Sequence, residues 1–467
     1  MYTVGLDGAS PLEVLQASLE EFGSVGVWNW FPDSQHVSML AFDRNNAYGV
    51  FTVPLKGGEA ARLKLPDEGC WSNLEWRAAG TQLFVERCES GPEPVSTFIR
   101  ANIWRLTVDP HAMTVLATER LTAGDTWATG IAPSPDGTHL ALAKLTTTQR
   151  VWSVPFNGDT GRIEGEGEPV TDATANAMGV GLSADGTRIA YTLSRTGGTR
   201  LELWTTDLVT GQNQRLVADD QSRNFPHWSR DGRWLAYLWQ RPVGTAQEAA
   251  VAAWHVETAR EQFVTAPSVR DGLVFASDWS PDGRFVLVSS SVPKPPNMSL
   301  SLWPFDAAPH DKNSVKVLAW DPDFDLGDGE ASFSPDGHWV CFEAVNLKEA
   351  GASIIEVIPS EGTRTRSQWT ALTSAHEWAD KPRWSPDGKL VYFIQSRNSF
   401  WNVWAVRFDG ATGNPVGEPF QVTHYDSVRH RIPTELEGSE IGVSAHRLIL
   451  TIAEQTGNIW MLDNVNR

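Results

Sequence analysis

The chain has 467 residues, with 38 basic and 57 acidic groups and a net charge of −19. No basic stripe is present to neutralise phosphates, so nucleic acid and anionic membrane surfaces are excluded as expected partners, and the acidity reads as a solubility feature. No apolar run reaches the ~18 residues that span a bilayer, and the first thirty residues lack the basic start and apolar stretch of a secretory signal, so membrane insertion is not expected and both periplasm and cytoplasm stay open.

The first segment, Tyr2-Thr3-Val4-Gly5-Leu6-Asp7-Gly8, matches Phe51-Thr52-Val53-Pro54-Leu55-Lys56-Gly57 nearly residue for residue, so the chain begins midway through a repeat. Ser10-Pro11-Leu12-Glu13 has the form of a helix capping box, but the repeat match outweighs it. From there on, a turn signal recurs. Ser-Pro-Asp-Gly stands at Ser134, Ser280, Ser334 and Ser385, with Ser183-Ala184-Asp185-Gly186 and Ser229-Arg230-Asp231-Gly232 as variants. Degenerate copies stand at Trp30-Phe31-Pro32, Trp76-Arg77-Ala78 and Ser444-Ala445. Apolar runs flank each signal, as in Phe225 to Tyr237, which is hairpin chemistry: Asp bonds nearby amides and Gly takes positive φ. The turns begin near 31, 77, 134, 183, 229, 280, 334, 385 and 444. A third strand recurs in each copy, from Gly49 to Leu55 through Val151 to Pro155 to Asn458 to Leu462, and a fourth follows in most. Four strands per copy predict an all-β fold, a single β-propeller over residues 1–467 with nine blades, or eight and an irregular copy, closed by pairing of the N- and C-terminal segments.

Most of the 22 tryptophans repeat with the unit. Trp76, Trp228, Trp279 and Trp384 precede turns, and Trp104, Trp152, Trp204, Trp254, Trp303, Trp404 and Trp460 sit in third strands, where aromatics packing between sheets are expected. The three cysteines, Cys70, Cys88 and Cys341, show no metal spacing. Cys70 and Cys88 fall in one copy, but buried or free thiols are expected.

The Trp-Ser-Pro-Asp-Gly turn followed by an apolar strand, as in Trp279 to Leu287 and Trp384 to Phe393, resembles the WD-like repeat of TolB-type β-propellers over almost the whole chain. Rings of that type commonly have six blades, and the resemblance implies a binding or scaffold role. TolB is a periplasmic partner-binding protein, similar repeats form sensor parts of bacterial kinases and regulators, and related propellers cap the hydrolase domain of prolyl oligopeptidase-like enzymes.

Motif screening finds no Gly-X-Ser-X-Gly elbow, the nearest being Gly181-Leu182-Ser183-Ala184-Asp185, and no zinc-protease, phosphate-loop or EF-hand pattern. The acidic stretch Trp320 to Glu330 offers Asp325, Asp328 and Glu330 as weak oxygen ligands for Ca²⁺; otherwise no cofactor is expected. In a propeller the inner strands line the axis and the loops entering them crowd one mouth. The candidates for a ligand there are Trp127, Arg223, Asp271, His376, Glu377, Asp380, Arg429, His430 and Arg431. The expectation is a monomeric, non-catalytic binding or scaffold propeller that takes a protein, peptide or small ligand at the channel mouth, either alone or as the sensor part of a larger bacterial protein. The alternative is a propeller enzyme, a lyase or glycoside-acting hydrolase, using His and carboxylates at the mouth.

Overall fold

The computed structural model describes residues 2–3, 12–13, 22–43 and 48–465, apart from 57–58, 67–70, 78–79, 90–99, 125–126, 135, 173–174, 196–200, 218, 220, 245, 270–273, 292–297, 310–311, 349–352, 364–365, 375–376, 398 and 435. The described elements are strands and three short 3₁₀ turns. No helix among these residues is long and apolar enough to cross a membrane.

The repeated tetrad is a turn in each well-formed copy, and the reason is local. At Ser280 the Gly283 N–H donates to the Ser280 carbonyl at 2.8 Å, and the Ser280 hydroxyl donates to Asp282 at 2.6 Å. The Asp282 carboxylate accepts the Arg284 N–H at 3.1 Å, the Ser280 hydroxyl accepts the Phe285 N–H at 3.0 Å, and Gly283 takes φ 72°. Serine and aspartate together occupy the backbone donors that a tight bend leaves unpaired, and glycine supplies a φ that a side chain resists. The same bonds recur at Ser183, Ser229, Ser334 and Ser385.

Instead of one domain, the chain forms two compact units, residues 1–147 with 455–467, and residues 148–454. The nine turn signals divide between them, three in the first and six in the second. In the second unit, five sheets begin at Ala175–Leu182, Ser222–Trp228, Val274–Trp279, Phe324–Phe333 and Ala379–Trp384, each running antiparallel outward from that strand; four have four strands, and the second has the short Ser268–Val269 as a fifth. The sixth is composite. Its inner strand is Ile441–Val443, paired with the start of Arg447–Asp463. Its outer strands come from the start of the unit: the Phe156 N–H donates to the His446 carbonyl, and Trp152 pairs with Pro169.

Each inner strand contacts the next, and Ile441–Val443 contacts both Ala379–Trp384 and Ala175–Leu182, so the six close a cycle. Six apolar cores agree with this, each shared by two neighbouring blades. The last joins Leu390, Tyr392 and Val403 to Leu448, Leu450, Val154 and Phe156. Within this unit the cycle of six inner strands is thus completed by the internal strand Ile441–Val443. The N-terminal pair Tyr2–Thr3 meets Leu12–Glu13, which is a strand there and not a capped helix.

Besides that pair, the described residues of the first unit form three blade-like sheets. One begins at Phe22–Trp30, one at Trp71–Arg77, and the third combines Trp127–Pro133 with the first half of His139–Asn157 and the second half of Arg447–Asp463. The copies at Ser134 and Ser444 therefore exchange third strands. The segment after Ser134 carries no turn residue between Leu145 and Val151, only Thr146-Thr147-Thr148-Gln149-Arg150, so β-branched residues prolong one strand of 19 residues past the place of the expected hairpin. Asn458 to Leu462, expected as a separate third strand, is the far half of a strand of 17 residues. At Gly457 any Cβ would stand 2.9 Å from the Lys144 carbonyl oxygen, so only glycine admits this approach.

Cys88 is disulfide-bonded, against the expectation of free thiols; Cys70 lies outside the described residues, and Cys341 is a buried free thiol that burial pushes up to about 12.

Candidate functional site

The repeat places equivalent residues around the axis of the second unit. The residue two before each turn serine is Gly181, His227, Asp278, Ser332, Arg383 or Gly442, and all six line one cavity of about 270 Å³. The residues just after the serine, Ala184, Arg230, Pro281, Pro335 and Pro386, also line it. Tryptophan holds this lining from behind. The indole N–H of Trp228 donates to the Gly181 carbonyl at 3.2 Å, that of Trp279 to His227 at 3.0 Å, and that of Trp384 to Ser332 at 3.1 Å. Each bond ties a blade to its predecessor. Where the repeat has Phe333, which has no such donor, the Asp278 carboxylate takes the Phe333 N–H at 2.8 Å and the Trp279 N–H at 2.7 Å.

Four residues before the turn serine, three successive blades carry Glu330, Lys381 and Glu440, all buried. Lys381 has φ 58° in a bulge and donates to Glu330, with Asp380 and Glu440 each 3.9 Å away. Arg383 donates to Glu440 at 2.6 Å and lies 3.6 Å from Glu330. Burial opposes charge throughout. It raises Glu330 to about 7, with Glu440 adding to the effect, and Asp278 to about 6 against the two backbone donors. Glu343, which accepts from the Ser353 hydroxyl at 2.7 Å, is raised well above the usual range by burial and then Asp380; Asp380 is raised by burial too. Burial disfavours the Lys381 charge, but Asp380, Glu330 and Glu440 outweigh it and hold the ammonium protonated. Half-buried His227 is pushed down to about 3 by burial and then by Arg383 and Lys381, so it is neutral.

The residues expected at the mouth are dispersed. Trp127 is in the first unit, at the start of Trp127–Pro133. Arg223 is buried in ion pairs with Asp219 at 2.7 Å and Glu261 at 2.9 Å, as a clamp inside its own sheet. Glu377 pairs with Arg397 at 3.0 Å. Asp380 is in the buried charge cluster. Arg429 is exposed in a turn, and His430–Arg431 form a short strand against Glu454 and Ala453, the His430 ring stacking 4.6 Å from Trp152. Asp271 and His376 lie outside the described residues. Of the metal candidates, Asp325 accepts the Met298 N–H at 2.7 Å, Glu330 accepts from Lys381, and the Asp328 side chain is outside the described residues. Among the described residues no three His, Cys, Asp or Glu side chains converge as metal ligands.

His227, Asp278 and Arg383 were legible in principle. In Pro226-His227-Trp228, Ser277-Asp278-Trp279 and Pro382-Arg383-Trp384 a polar residue fills the same place before the tryptophan. A residue at one repeat position in a ring faces the axis in every blade, whereas the upstream loops differ in length and direction.

No protein-family model and no curated protein matches the chain. Among solved structures, it is similar to a protein assigned as TolB from Agrobacterium tumefaciens, with 17% identity over 60% of this chain and 89% of that one and a TM-score of 0.45. It is also similar to TolB from Acinetobacter baumannii, with 14% identity over 81% and 83% and a TM-score of 0.42. The β-propeller domain of the Trilobed protease from Pyrococcus furiosus shows 12% identity over 77% and 99% and a TM-score of 0.38. The sheets themselves make this an all-β chain of propeller blades.

Proposed function

We propose that the chain is a non-catalytic binding module whose axial cavity, in residues 148–454, receives a segment of a protein or peptide. The observation that carries this reading is the lining itself. Six blades each contribute one residue to a single concave site with tryptophan walls, and its hydroxyls are committed to structure. Ser277 bonds Ser289 at 2.9 Å, and Ser332 bonds the Pro382 carbonyl at 3.2 Å. Neither hydroxyl is bonded to His227, whose Nε2 has no hydrogen-bond partner, so the lining does not assemble a nucleophile with its base.

Selection from a random peptide display library against the full chain tests this. Selected peptides are expected to shift the indole N–H resonances of Trp228, Trp279 and Trp384, and to return with unchanged mass after long incubation. Peptides that bind elsewhere would remove the site, and peptides returned cleaved or altered would make the chain an enzyme.

A further inference from the structure

Charge is unevenly placed around this cavity, which bears on what kind of segment it takes. Three lining side chains offer hydrogen-bond donors: Arg230, Arg383 and neutral His227 in the tautomer with Nε2–H. One lining carboxylate faces them, Asp278, and both its oxygens already accept backbone N–H groups. Arg383 is compensated by Glu440 and Glu330. Arg230 makes no close ion pair among the described residues, the Asp278 charge acting on it only at longer range, and it is exposed. It fills the second place of a Ser-Arg-Asp-Gly turn, where the next three blades have proline, and its Nη1 donates at 2.6 Å to the carbonyl of Pro335, two blades further round. That bond reaches across the mouth to a neutral acceptor. A carboxylate would be the stronger partner, since bonds between ionised groups are roughly twice as strong as neutral ones. Beside it, the His227 Nε2 is enclosed and unpartnered, an arrangement that a buried polar atom normally avoids.

Size narrows the ligand further. A cavity of about 270 Å³ holds one side chain or a chain end, and Trp228, Trp279 and Trp384 with three prolines give it apolar walls. Resting on the reading of this cavity as a binding site, we infer that it recognises a carboxylate carried by an extended peptide, at the chain end or on an acidic side chain, with Arg230 turning from the Pro335 carbonyl to the ligand and His227 and Arg383 completing the donor set.

The test uses the full chain and three probes: acetyl-Leu-Gly-Glu with a free terminal carboxylate, acetyl-Leu-Gly-Gln amide, and inorganic phosphate. Binding is followed by the His227 imidazole and Trp228 and Trp279 indole resonances. The acidic peptide is expected to bind about tenfold or more tightly than the amide. Arg230→Gln should remove about that tenfold for the acid and leave the amide and the melting temperature unchanged, with Arg230→Lys restoring part of it. Equal binding of acid and amide would overturn the inference while leaving the binding-module reading intact, because a peptide would still occupy the cavity. Phosphate binding as tight as the acidic peptide would overturn its peptide part. No resonance shift with the acidic peptide up to roughly 10 mM would overturn it altogether, since that is weaker than any specific site of this kind. The binding-module reading itself fails if the display selection yields no peptide at this cavity or returns its peptides cleaved or altered.

Discussion

The two units use the same blade but differ in how many interfaces that blade closes. The six blades of residues 148–454 share six cores, one for each neighbouring pair. The three sheets of the first unit share two: Leu40, Val50 and Leu63 pack on Leu74, Trp76 and Leu83, and Phe84 and Ile103 pack on Ala128, Leu140 and Leu142. Among the described residues the second unit thus has one shared core for each blade, and the first unit has two. The surface reflects this. Trp28 is 57% exposed, and Ile459, Trp460 and Met461 lie open on the last strand half. Trp460, expected to pack between sheets, instead carries the Lys144 ammonium 4.7 Å from its ring. The turn motif makes a blade, and something beyond the motif decides how many blades meet.

The two units also differ in buried charge, since the second encloses a cluster of Glu330, Asp380, Lys381 and Glu440. The sharpest way to break that difference is Lys381→Met, which leaves Glu330, Asp380 and Glu440 without their ammonium. It should cost about 3–5 kcal/mol in denaturant unfolding of the second unit, and a loss under about 1 kcal/mol would mean that protons already neutralise the acids. Next comes pH. Glu330 is raised from an ordinary carboxylate value to about 7, so between about 4.5 and 7 the folded state holds a proton that the unfolded chain has released. Stability of the second unit should therefore fall as pH rises through that window, by up to about 3 kcal/mol, and Glu330→Gln should flatten the slope. Asp278, raised to about 6, adds a smaller loss in the same direction. A melting temperature that rises from pH 5 to 7 would contradict both assignments.

Gly283→Val should lower stability by about 1–3 kcal/mol from backbone strain alone, because its φ is 72° while its Cβ would meet nothing within 4 Å. Unchanged melting would refute the turn. Trp384→Phe removes the indole bond to Ser332 while keeping the ring, and about 1 kcal/mol is expected, measured by thermal melting against Trp279→Phe. Smallest of all, Trp28→Ser in the first unit should stay within about 0.5 kcal/mol, since that side chain is largely in water already. A larger loss would mean that Trp28 is covered in solution.

Much of this was legible beforehand, and the exceptions share a cause. Ser280 to Gly283 names its own conformation, because every bond that stabilises the bend lies within six residues. The third strands Ser353–Pro359 and Phe400–Asp409 fall where the repeat puts them. Arg223 was misread as a ligand group because its partners are an adjacent Asp219 and a distant Glu261, and the second is visible only once strands pair. Glu330 stood as a metal candidate among neighbouring aspartates, yet it points at a lysine 51 residues away. Sequence neighbourhood suggested chelation, whereas the register shift between Leu326 and Ala331 puts the buried Glu330 against Lys381.

By itself the sequence determined the all-β blade and its turns, because alternating apolar strands and Asp-Gly bends are satisfied by contacts a few residues long. Only the tertiary structure decided that the inner strands of residues 148–454 form a cycle completed by Ile441–Val443, and that His227, Asp278, Arg230 and Arg383 face one cavity. Those outcomes depend on pairings between residues hundreds of positions apart, such as Phe156 with His446, whose strength comes from backbone groups that carry no side-chain signature.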